Sequence, residues 1–163
     1  DEWKWGVDNM KKVAAAAEKS GVILALEAIN RFETYFINTL ADLCLFAKEV
    51  DHPQFKIMFD TFHANIEEEN IAKAVKNAAG FIAHVHVSEN HRGVPGSGHI
   101  RFGEIFKTLK NDVKYNNWLT VEAFSGALPE LAGATKIWRD MFDTNDNLAQ
   151  RSLDFIRNQW AKA

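Results

Sequence analysis

The sequence predicts an α/β fold of four consecutive parallel strand–helix units with one helix ahead of them, half of a (β/α)8 barrel. Three observations carry this. Four short apolar runs, Val22–Leu26, Phe55–Phe59, Phe81–Val85 and Trp118–Val121, alternate with stretches of helical period, the pattern of βα units joined by right-handed crossovers. Three of the runs are nearly continuous in apolar residues, as strands covered on both faces of a parallel sheet are. The residues that end the runs, Glu27, Asp60, His86 and Glu122, are spaced by 33, 26 and 36 residues, and the units of a barrel of about 250 residues average roughly 31.

The elements follow in order. Val7, Met10, Val13, Ala14 and Ala17 line one face of a helix before the first run, and Gly21 is its stop. Leu40, Leu43, Cys44, Ala47 and Val50 make an apolar stripe at helical offsets, as do Ile71, Ala74, Val75 and Ala78, and then Phe102, Ile105, Phe106 and Leu109. A last helix turns Leu148, Phe155, Ile156 and Trp160 inward. Residues 1–163 form one domain. The longest stretch rich in turn residues is Glu89–His99, ENHRGVPGSGH; such a segment in a compact chain is more often functional than a plain surface loop. Its glycines, Gly93, Gly96 and Gly98, read as loop glycines rather than a phosphate cradle.

Composition narrows the function. Of 163 residues, 47% are apolar, and 19 basic against 22 acidic residues leave a formal net charge of −3. Twelve Phe and five Trp exclude a disordered chain. No apolar run approaches the roughly 20 residues of a membrane span. The mild acidity argues against a nucleic-acid surface. A single cysteine, Cys44, excludes a disulfide framework and any multi-cysteine metal site. With no charged-then-apolar leader, the expectation is a reducing, cytoplasmic setting. The chain opens at Asp1 inside a helical pattern, which reads as a piece of a longer protein.

The chemistry collects at one end of the runs. Glu27, Asp60, His86 and Glu122 all close their runs at the carboxyl end, where barrel enzymes hold ligands and catalytic groups. Parallel neighbours lie about 4.8 Å apart, so four consecutive strand ends can aim at one point. Three carboxylates gathered there repel unless one holds a proton or a cation stands between them. Three oxygen donors and one imidazole suit Mn²⁺, Mg²⁺ or Co²⁺. Any one of these residues alone reads as a helix cap, a surface charge or a satisfied core histidine; four ends out of four do not. Arg31, Glu33, His63 and Arg92 follow the same ends, and such a mixture of donors and acceptors suits a polyhydroxylated ligand. Read more plainly, Arg31 and Glu33 are a local ion pair of little worth. Glu67, Glu68 and Glu69 read as the acidic first turn of a helix, and Asn65 as a helix cap.

These residues stand in recognisable segments. LEAINRFE (26–33), DTFHANIEE (60–68), HVHVSENHRGVPGSGH (84–99) and VEAF (121–124) resemble the D-tagatose 3-epimerase and D-psicose 3-epimerase family, ketose 3-epimerases of the xylose-isomerase-like barrel superfamily. The likeness runs through essentially the whole chain and matches the last four βα units of that barrel. The resemblance implies that Glu27, Asp60, His86 and Glu122 ligate a divalent metal, most commonly Mn²⁺, with Co²⁺ or Mg²⁺ as substitutes. It implies that Glu27 and Glu122 are also the two acid/base groups, and that Glu33, His63 and Arg92 hold the O1 and O2 end of a keto-sugar. The implied reaction is inversion at C3 through a cis-enediolate.

Other readings stay open on the residues. An aldose–ketose or hydroxypyruvate-type isomerase of the same superfamily uses similar metal carboxylates, and a half barrel that binds metal and sugar without chemistry is a third possibility. A DNA-repair endonuclease of the superfamily would need more histidines, for which His52, His91 and His99 are loose candidates, and a basic groove that the charge balance denies. Four strands also leave 22–26 and 118–121 as open edges, which invite pairing. The expected partner is therefore the amino-terminal half of the barrel or a second copy of the chain, with no nucleic acid and no membrane.

Overall fold

The computed structural model describes residues 1–163. Its four strands, β1 (Leu24–Glu27), β2 (Phe55–Asp60), β3 (Ile82–Val87) and β4 (Leu119–Val121), form one parallel sheet in the order β1-β2-β3-β4. Sequential strands that neighbour in space and run parallel require a crossover each time. The crossovers are α2 (Leu40–Val50), the pair α3 (Thr61–Glu67) and α4 (Ile71–Asn77), and α5 (Phe102–Thr108), which continues as a π-helical segment, Leu109–Val113. Before the sheet stands α1 (Glu2–Lys19), and after it come α6 (Pro129–Thr135) and α7 (Asn145–Lys162).

Local sequence explains the boundaries. Gly21, at φ +65°, takes the left-handed conformation just past α1. The Thr39 hydroxyl accepts the Asp42 amide at the start of α2, the Asn70 side chain accepts the Lys73 amide at α4, and Thr144 accepts from Asn147 at α7. The second helical stripe is buried at Leu40, Leu43, Cys44, Ala47 and Val50, and the fourth at Phe102, Ile105, Phe106 and Leu109. On α1, Val7, Ala14 and Ala17 are buried while Val13 is exposed; α7 only half-buries Phe155, Ile156 and Trp160 against the core. Aromatic edges lock these helices down, with ring centroids 5.1 Å apart for Trp3–Phe46 and 5.4 Å for Phe102–Phe155.

The strands are not covered on both faces. Phe55, Ile57, Phe59, Val85 and Val87 are buried against the helices. Their alternates, Lys56, Met58, His84 and His86, are only half-buried. Parallel pairing sets Met58 beside His84 and Asp60 beside His86, with a register shift between Ile57 and Met58. These half-buried alternates mark a second face, and this is the face from which Glu27, Asp60, His86 and Glu122 project. β1 and β4 are the outer strands, and beside them Ile23 is 56% and Trp118 82% exposed.

Two further expectations are corrected. Glu67, Glu68 and Glu69 do not begin a helix: Glu67 ends α3, and Glu68 and Glu69 lie between α3 and α4. Asn65 lies inside α3, whose cap is Asp60. The short α3 carries too little apolar period to be legible as a separate element.

The glycines of 93–98 are steric requirements. Gly96 has φ +84°, and a Cβ there would lie 2.3 Å from the Phe155 ring of α7; one at Gly98 would lie 2.0 Å from Asn90 Oδ1. Gly96→Ala is expected to cost about 2–4 kcal/mol in urea unfolding, because strain and overpacking add. Gly133→Ala, in open space on α6, should change stability by less than about 0.5 kcal/mol or raise it.

Candidate metal and ligand site

Asp60 sits at the centre of the site and is 3% exposed. Its Oδ1 accepts the Phe62 and His63 amides at 2.6 and 3.0 Å and so caps α3. Its Oδ2 has no hydrogen-bond partner, and neither do Glu27 Oε1 and His86 Nδ1, all three buried. Donor atoms of Asp60, His86 and Glu122 lie within 4.8 Å of one another, and so do those of Glu27, Asp60 and His63. The four strand-end residues named from the sequence therefore meet, joined through Asp60, and His63 meets them as well.

Buried polar atoms without partners are costly. Here three of them, two carboxylate oxygens and an imidazole nitrogen, belong to two neighbouring donor groups that share Asp60. The donor chemistry of these groups fits a divalent cation, which would supply such atoms with a partner. Bound there, the ion would act as a Lewis acid on a ligand oxygen.

The electrostatics follow from burial and crowding. Burial, reinforced by the Glu122 charge, pushes the Glu27 carboxyl up to about 7. An apolar cleft of about 280 Å³ lined by Met10, Leu26, Phe36 and Phe46 opens beside it. Burial likewise raises Asp60. Burial would raise Glu122 too, but contact with His86 and the charge of Arg92 outweigh it and hold this carboxyl well below the usual range. His86 is raised by the Glu122 carboxylate, 3.6 Å from its Nδ1. Burial and then the Arg92 charge push His63 down to about 4, which keeps it neutral.

Arg92 is placed by the long loop. Glu89 is fully buried, and its carboxylate accepts the Asn90, Gly96 and Ile100 amides. This folds 89–100 back on itself and leaves Arg92 at φ +62°, a conformation that side-chain-bearing residues adopt only when the surroundings enforce it. The guanidinium lies 3.6 Å over the Phe62 ring and 5.1 Å from that of Phe124. It donates to Ser88 Oγ at 3.1 Å and pairs with Glu122.

The remaining expectations divide. Glu33 is exposed and lies at the site's edge, where its Oε1 accepts from Asn30 Nδ2 at 2.8 Å. Arg31 does not pair with Glu33; its backbone amide and guanidinium hold Glu67. Glu68 accepts the Leu40 amide at 2.8 Å, so two of the acids read as solvated charges tie loops together. His91 accepts the Gly93 amide, His52 lies 3.9 Å from Glu18, and His99 stays on the rim beside Arg101, so none of the three joins the cluster. Sequence reading passed over Asn30, Glu89, Ser88 and Phe62. Glu89 carried one signal, an acid directly before a glycine-rich turn segment.

The comparisons agree with this architecture. The Xylose isomerase-like TIM barrel family matches residues 1–159. D-psicose 3-epimerase of Ruminiclostridium cellulolyticum is 40% identical over 161 residues, which cover 96% of this chain and 55% of that protein. L-ribulose 3-epimerase of Mesorhizobium japonicum is 39% identical over 158 residues, covering 96% and 53%. A solved structure of an L-ribulose 3-epimerase superposes with a TM-score of 0.95 at 36% identity, over 99% of this chain and 55% of that one. D-psicose 3-epimerase from Clostridium cellulolyticum, solved with D-tagatose, superposes with a TM-score of 0.89 at 38% identity. The chain spans about half the length of the curated relatives it matches.

Glu27 gives a pH dependence. Its carboxyl titrates at 4.5 as a free group and near 7 when folded, so the folded state holds the extra proton. That stabilisation is complete below about pH 4.5 and is lost as pH rises through about 7. In chelator, melting should weaken between about pH 5 and pH 8, and Glu27→Gln should remove up to about 2 kcal/mol of that loss, allowing for partial exposure.

Proposed function

We propose that this chain, which belongs to the Xylose isomerase-like TIM barrel family, is the metal-binding, carboxyl-terminal half of a ketose 3-epimerase. The observation that carries the reading is that Glu27, Asp60, His86 and Glu122 fall into two donor groups joined at Asp60, with three bare buried donor atoms among them. The relatives named as D-psicose and L-ribulose 3-epimerases support it, as does the probable ketose 3-epimerase of Synechocystis.

In this reading Glu27, Asp60, His86 and Glu122 hold a divalent ion, most commonly Mn²⁺, with Co²⁺ or Mg²⁺ as substitutes. Such an ion would act as a Lewis acid on the keto-sugar and so make the C3–H, on the carbon next to the carbonyl, more acidic. The residues do the rest. Glu27, on β1, and Glu122, just past β4, are the outermost groups of the cluster in the sheet. They flank the sugar from two sides; one removes the C3 proton and the other delivers one. Inversion requires two such groups, since a single base tends to return its proton to the face it came from. Arg92, His63 and Glu33 grip the O1 and O2 end. Phe62 and Phe124 hold the Arg92 guanidinium flat, so its N–H fork points into the site.

The open edges at β1 and β4 define the partner. The amino-terminal half of the barrel or a second copy of the chain covers Ile23 and Trp118 and encloses the sugar. Of these, the amino-terminal half accords with the length of the relatives.

An isomerase moving a proton between C1 and C2 would use the same donor set, and the position of exchange separates the two. With the barrel completed, Mn²⁺ and D-fructose in D₂O are expected to yield the C3 epimer with deuterium at C3; deuterium at C1 alone would replace epimerase by isomerase. Glu27→Gln or Glu122→Gln should lower turnover by about 10²–10⁴-fold.

Metal binding is testable on the chain itself. Mn²⁺ at about 100 times its dissociation constant should add about 2.7 kcal/mol of stability. Asp60→Ala should abolish the shift, and a shift of equal size in that variant would contradict the assigned ligands.

A further inference from the structure

Asn30 follows β1 by three residues and is 1% exposed. Its amide has only one sensible orientation. Oδ1 accepts the Phe32 amide at 2.9 Å, and Nδ2 donates to Glu33 Oε1 at 2.8 Å. The flipped amide would set oxygen against carboxylate and NH₂ against N–H. Nδ2 also lies 2.8 Å from His63 Nδ1, and the Asn30 backbone amide donates to that same nitrogen at 3.1 Å. A ring nitrogen approached by two donors must present its lone pair, so the neutral imidazole carries its proton on Nε2.

That proton faces the site. Nε2 stands 3.8 Å from the partnerless Glu27 Oε1 and 3.3 Å from Arg92 Nη2. With hydrogen on Nε2, the Arg92 contact is donor against donor. Two donors that cannot satisfy each other share a need for one acceptor oxygen between them. By distance alone His63 belongs with Glu27 and Asp60 as a potential metal donor, yet a protonated nitrogen has no lone pair to give an ion.

The geometry points to Asn30 as a positioning residue that locks His63 in the Nε2–H tautomer, so that His63 donates, with Arg92, to a ligand oxygen and stays out of the cation's coordination shell. Only the identity of the ligand rests on the epimerase reading; the tautomer is a property of this chain. Aspartate at position 30 would reverse the arrangement. Its second oxygen would face Nδ1, draw the proton there and turn the Nε2 lone pair toward Glu27 and Asp60.

Long-range ¹H–¹⁵N correlation spectra of the imidazoles in the full chain test this, with Zn²⁺ as a diamagnetic probe of imidazole ligation. His63 is expected to show an acceptor-type Nδ1 and a protonated Nε2 before and after one equivalent of Zn²⁺, while the His86 resonances move. In Asn30→Asp the His63 proton should shift to Nδ1, and Zn²⁺ should then move the His63 resonances too. Saturating D-fructose on the zinc-loaded chain should displace the Nε2 proton signal and leave Nδ1 in place. A wild-type His63 protonated on Nδ1, or one that moves together with His86 on Zn²⁺, overturns the proposal without need of any variant. An Nε2 signal that stays in place while D-fructose shifts the Arg92 guanidinium resonances removes the ligand-donor role. A His86 ring indifferent to Zn²⁺ would instead count against the metal reading, and the tautomer alone would still decide the role of Asn30.

Discussion

The site depends on how the Asp60 carboxylate is divided. One oxygen is fully occupied as the cap of α3, accepting two backbone amides. The other is buried and bare. The cap fixes the side chain's direction, so the bare oxygen is aimed by the helix rather than free to rotate to water. The same cap sets α3 in place, and α3 carries Phe62 and His63 into the site. One hydrogen-bonded turn thus positions a bare carboxylate oxygen, an imidazole and the aromatic platform for Arg92 together. Removing the carboxylate would remove all three relationships, which is why Asp60 rather than Glu27 or Glu122 is the informative position for substitution.

The second constraint is the loop 89–100. Its organiser is a buried acid outside the Asp60 cluster. Glu89 collects three amides, and the glycines let the chain pass where a Cβ would collide. The result is a left-handed Arg92 whose guanidinium is flattened on Phe62 and charge-paired to Glu122. Backbone strain of this kind persists only where surrounding contacts over-determine it, and here they do so at the one residue whose charge balances the acids.

Much of this was legible in the sequence, and the limits have physical causes. Strand ends were readable because β period and apolar runs change abruptly at Glu27, Asp60, His86 and Glu122. Long helices were readable because stripes such as Leu40 to Val50 repeat over several turns. The second face of the strands was missed because Met58, Ala25 and Ala83 are apolar without being fully buried, so a run looks continuous when only alternate residues pack. α3 was missed because about two turns hold no stripe, and its acids lie at the wrong end for a first turn. Asn30 was invisible for a different reason. Its role lies in a contact 33 residues away along the chain with His63, and no local pattern encodes which nitrogen of an imidazole bears the proton.

Charge balance decides what kind of ion such a site suits. Three carboxylates converge, and Arg92 is the one permanent positive charge among them; His63 is held neutral, and an imidazole that gives its lone pair to an ion is neutral as well. With all three acids ionised and His86 unprotonated, as ion binding requires, the cluster is therefore two charges in excess. The folded chain answers by keeping Glu27 and Asp60 reluctant to ionise, a partial solution that costs stability as pH rises. A monovalent cation would leave repulsion behind, and a trivalent one would over-compensate and grip a departing ligand too strongly. A divalent ion restores neutrality with Arg92 still paired to Glu122. It would also free the acids to ionise at neutral pH.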